Sequence, residues 1–66
     1  MERNKVLSTL PVEIELLAKM HILYGLFRSS AFETQKKKVE KLISDYKINP
    51  SADLDPISRN LYRRYF

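Results

Sequence analysis

The sequence predicts an all-α fold, a compact three-helix domain, on three observations. Only one glycine, Gly25, occurs in 66 residues, and no Asn-Gly or Asp-Gly pair is present to turn a tight hairpin. Pro11, Pro50 and Pro56 mark off segments of the chain rather than breaking each one up. Within those segments the apolar residues recur at helical spacing.

Residues 1–10 are expected as an N-terminal arm, in which Val6, Leu7 and Leu10 make a short turn or pack on a neighbour. Pro11 then opens helix one, because its missing N–H costs nothing in a first turn. That helix is expected over about 11–28 and is apolar on two faces. Its main stripe is Val12, Leu16, Leu17, Met20, Leu23, Tyr24 and Phe27; a second ridge carries Ile14, Ala18, Ile22 and Leu26. A helix apolar on both sides needs covering on both. Helix one is therefore expected at the centre of the domain and shared with a second copy in a homodimer. The expected dimer seam is Ile14, Ala18, His21, Ile22, Gly25 and Leu26, where small Ala18 and Gly25 allow close approach. His21 would lie beside that seam, and its protonation would weaken assembly in mild acid.

Ser30 followed by Glu33 has the spacing of a capping box and predicts helix two over about 31–47. Its buried stripe is expected to be Phe32, Val39, Leu42, Ile43 and Tyr46. Asn49-Pro50 ends it, since the residue before proline avoids the α region. Asp55-Pro56 starts helix three over about 56–65, with Asp55 as N-cap and Pro56 at N1. Ser51 to Leu54 is expected as one short turn with Leu54 pointing inwards. All of residues 1–66 form a single helical domain, because so short a chain has no room for a second core.

The composition bounds the function. There is no cysteine, so neither disulfides nor thiolate metal sites are available, and oligomerisation is the remaining means of stabilising a small core. No signal-peptide pattern or spanning apolar run is present, which predicts a soluble, cytoplasmic protein with no membrane role. The net charge is +4, with eight basic and five acidic residues after residue 30 against four and three before it. That is a mild bias towards acidic partners.

Catalysis finds little support. His21 is the only imidazole, has no carboxylate one turn away, and is more often a contact residue than a base in such a setting. Asp53 and Asp55 form too weak a pair for a metal, and Asp55 is already used as a cap. No enzyme activity, metal, cofactor or small-molecule substrate is expected, and no family motif assigns the chain.

The remaining constellation is basic and aromatic. Arg59, Tyr62, Arg63, Arg64, Tyr65 and Phe66 combine residue types common at binding hot spots. The expected function is a small non-enzymatic regulatory module that docks on a protein partner through these residues. The alternative is a nucleic-acid-binding accessory protein, with the arginines and Lys36, Lys37, Lys38 and Lys41 on phosphates. A helix-turn-helix does not fit, because the connection between helices two and three is too long and holds both Pro50 and Pro56.

Overall fold

The computed structural model describes residues 2–66, and among them the architecture is all-α with no strand. Four helices succeed one another along the chain: α1 Arg3–Ile22, α2 Ser30–Asp45, the single turn α3 Pro50–Asp53, and α4 Pro56–Tyr65. The three long helices build the domain, and α1 is the common wall against which both α2 and α4 pack.

The expected arm at residues 1–10 is corrected. Met1 lies outside the described residues, but Arg3 to Leu10 is helical and continuous with the stretch to Ile22. Pro11 sits inside α1 rather than at its start. The reason is packing. Val6, Leu10, Ile14 and Leu17 fall on one face at four- and three-residue spacing, and all four are fully buried. Burial of that face outweighs the roughly 3 kcal/mol that a proline costs within a helix. In the turn before Pro11, Ser8 Oγ donates to the Asn4 carbonyl at 3.0 Å, and Thr9 Oγ1 donates to the carbonyls of Lys5 and Val6.

The C-terminal end of α1 is also earlier than residue 28. Gly25 adopts φ +62°, its N–H donates to the His21 carbonyl, and the Leu26 N–H donates to the Met20 carbonyl. The Gly25 bond, four residues back from a left-handed glycine, is the αL form of helix closure. Gly25 is thus the stop signal, not a small residue in a helix seam. At the start of α2 the cap is Ser29, one residue earlier than expected; its hydroxyl accepts from the Phe32 N–H at 3.1 Å, and with Phe32 at N3 the reciprocal bond of a Ser30–Glu33 box does not form.

Two connected clusters make the core. Val6, Leu10 and Ile14 of α1 meet Val39, Ile48 and Leu54, while Leu17 and Ala18 meet Phe32 and Tyr65. The expected main stripe of helix one is therefore split, with Met20 packed against the second cluster. Of its members Leu17 is buried, but Val12 (65% exposed), Leu23 (66%) and Leu16 point away from the core. Across the fold, Arg3 Nη2 donates to Asp53 Oδ2 at 2.9 Å, tying the start of α1 to α3. Lys38 Nζ lies 3.3 Å from Glu13 Oε2, linking α2 to α1.

Candidate functional site

Two surfaces compete for the role of functional site: the basic-aromatic end of α4 and the outer face of α1. The first is built on a well-defined start. Asp55 Oδ2 accepts from the Ser58 N–H at 3.2 Å, and Pro56 fixes the first turn. The Asp55 carboxyl is held below its ordinary 3.8, first by the Ser58 hydroxyl and then by the Ser58 N–H. At 100° per residue, Ser58, Leu61 and Tyr65 then turn towards α1.

That register divides the expected contact residues. Tyr65 is 7% exposed and belongs to the core. Its hydroxyl lies 3.0 Å from His21 Nδ1, and its ring meets Phe32 edge-on at 5.8 Å. As a partner contact Tyr65 is accordingly corrected to an interior residue. Phe66 is half-buried against both clusters, and Tyr62 stacks on it with ring centroids 4.5 Å apart. Arg63 and Arg64 stay outside, and Arg59 is half-buried. Arg59 Nη2 donates to the Leu54 carbonyl at 3.2 Å, Arg64 lies 5.8 Å from the Tyr65 ring centroid, and Arg63 is exposed.

The lysines of α2 do not form one field. Lys38 is paired with Glu13, and Lys36 Nζ sits 5.5 Å from the Phe66 ring centroid. Lys37 and Lys41 are exposed and make no ion pair among the described residues. Arg59 and Arg63 line a cleft of about 480 Å³ with Pro50, Ser51 and Tyr62. None of the four lysines lines it.

The expected dimer seam is broken up by the fold. Ile14 and Ala18 are core residues, and His21 is half-buried between Tyr65 and Phe27, whose ring centroid is 4.7 Å away. Gly25 and Leu26 lie beyond the helix end. Of the six, only Ile22 stays exposed on α1 itself, at 66%.

What remains uncovered is the side of α1 opposite the core. Val12, Leu16, Ile22 and Leu23 share it with Glu15 and Lys19, a loose i,i+4 pair at 4.0 Å. Beside it runs a groove of about 360 Å³, floored by Ala18 and Leu61 and flanked by Ile22, Leu23 and the exposed Ile57 of α4. Two apolar faces on this helix are visible in the sequence. Which of them the rest of the chain covers is not.

Among the described residues no group of three His, Cys, Asp or Glu could hold a metal, and no helix is long and apolar enough to cross a membrane. Comparison with family models, curated proteins and solved structures finds no match to this chain.

Proposed function

We propose that the chain is a small non-enzymatic module that acts by protein–protein docking, through the outer face of α1 and Ile57 of α4. The observation that carries this reading is the set of exposed apolar side chains left open beside a small core: Ile22, Leu23 and Ile57 around one groove, with Val12 and Leu16 further along the same side of α1. Clustered exposed apolar side chains of this kind mark contact sites. The mechanism is occupancy or scaffolding, with regulation exerted by which surface is covered.

A second copy of the chain is the occupant that fits best. The face carries one acid and one base, Glu15 and Lys19, so it has no net charge to attract a nucleic acid or an acidic protein. An antiparallel α1–α1 contact sets Glu15 of each copy against Lys19 of the other, the arrangement a twofold interface requires. The exposed fractions of the five apolar side chains correspond to roughly 500 Å² per copy. The stems of Glu15 and Lys19 and the ring of Tyr24 bring that towards the ~800 Å² per partner of a standard interface.

Sedimentation equilibrium tests this directly. A dimer that dissociates on dilution, and becomes monomeric with Leu23→Glu while its circular dichroism is unchanged, is the expected result. A wild-type chain that stays monomeric at high concentration rules out self-docking. The nucleic-acid reading rests on exposed Lys37, Lys41, Arg63 and Arg64. Anisotropy with duplex DNA and single-stranded RNA at ~50 and ~200 mM salt separates it, since phosphate-led binding falls steeply between the two.

A further inference from the structure

The cleft between α3 and α4 has a chemistry that the α1 face lacks. It is lined by two guanidinium groups, Arg59 and Arg63, two hydroxyl-bearing residues, Ser51 and Tyr62, and Pro50, with no carboxylate. Arg59 and Arg63 stand one helical turn apart, so their like charges repel unless an anion lies between them. The acids nearest in the chain are occupied elsewhere. Asp53 accepts from Arg3 at 2.9 Å and from the Asn49 N–H at 2.8 Å, and Asp55 caps α4. From Pro56 to Tyr65 the helix has no acidic residue at all.

The two arginines differ in how they are held. Arg59 is half-buried and anchored through Nη2 to the Leu54 carbonyl, with its Nε covered by the protein. Arg63 is exposed and makes no hydrogen bond or ion pair among the described residues. One guanidinium is thus pre-oriented and the other is free to close on a ligand.

We propose that this cleft binds a phosphomonoester dianion. Two guanidinium groups match a group carrying nearly two negative charges, and three terminal oxygens can accept from the Arg63 fork, the remaining N–H groups of Arg59 and a hydroxyl. The cleft is several times larger than one phosphate group and leaves room for the esterified part beside the Tyr62 ring. A nucleic-acid backbone fits less well. It presents single charges in series, whereas Lys38 is neutralised by Glu13 and the other α2 lysines do not line the cleft. Arg59 and Arg63 also lie on the side of α4 opposite Ile57 and Leu61, so the site is independent of the α1 face.

The test is a two-dimensional NMR titration of the full chain with inorganic phosphate, phenyl phosphate and a phosphoserine peptide. Saturable shifts of the Ser51 amide, the Arg59 Nε–Hε signal and the Arg63 signals are expected. Arg63→Gln should weaken binding about tenfold, with Arg63→Lys intermediate and Arg64→Gln unchanged. Because Arg63 is exposed, its replacement leaves the fold intact, which unchanged amide signals outside the cleft verify. Tighter binding of phenyl phosphate assigns a free monoester; tighter binding of the peptide assigns a phosphorylated side chain. Shifts that never saturate, or an equal loss with Arg64→Gln, overturn the site. Duplex DNA moving the same signals at lower phosphate concentration overturns the choice of a monoester.

Discussion

Replacing Val6 by alanine removes two methyl groups from a fully buried position, inside the cluster formed with Leu10, Ile14 and Val39. The lost transfer free energy is about 1.6 kcal/mol, at ~0.8 per methyl group. The residual cavity adds ~0.5–1 kcal/mol. Alanine is the better helix former, which returns about 0.5 kcal/mol. The net loss is therefore about 1.5–2 kcal/mol, close to half of the ~3–5 kcal/mol that a single small core supplies. Far-UV circular dichroism should show the melting temperature falling by roughly 6–15 °C. The same substitution at Val12, 65% exposed, leaves only the propensity term and should raise stability by a few tenths of a kcal/mol. Measurement at low micromolar concentration keeps second copies apart. A neutral or stabilising Val6→Ala would mean that the first ten residues do not pack as helix. A comparable loss from Val12→Ala at low concentration would mean that the two faces of α1 are exchanged.

Gly25→Ala separates backbone conformation from packing. No atom lies within 4 Å of an added Cβ, but φ is +62°, so the variant should lose about 1 kcal/mol, and Gly25→Asn less. A higher melting temperature for the alanine variant would instead indicate a helix running on through residue 25. Asp55→Ala should lower the urea midpoint at neutral pH, since the carboxylate caps α4. The folded carboxyl titrates below its unfolded value, so its contribution is complete above the ordinary carboxylate range and is lost as pH falls through the folded value. The gap between wild type and variant should therefore close in strong acid, and a gap constant with pH would show that the charge of Asp55 is not what holds the helix start.

How much of the fold is legible in the sequence depends on the range of the interactions concerned. The Asp55-Pro56 start is local chemistry, with the cap, the proline and the Ser58 amide all within four residues, and the sequence shows it directly. The start of α1 is a different case. Pro11 is a strong local signal, yet Val6, Leu10, Ile14 and Leu17 carry one continuous face through it, and tertiary burial of that face decides. The single glycine is available as a helix stop, but apolar residues on both sides of it suggest a longer helix. Local spacing cannot say which of two apolar stripes faces inward; the placement of α2 and α4 selects Ile14 and Ala18 over Val12 and Leu16. The Lys38–Glu13 pair likewise joins residues 25 apart, so the division of the basic surface is visible only in the fold.

Leu61 and Phe66 touch both core clusters, whereas most core side chains belong to one. Without them the upper and lower halves of α1 would be stabilised by separate sets of neighbours and could open independently. Through them α4 couples the two halves into one cooperative transition. Arg59 and Arg63 stand on that same helix, so anything bound in their cleft contributes its binding free energy to both halves at once. Hydrogen exchange at Val6 and at Leu17, at opposite ends of the core, should then slow together as the cleft fills.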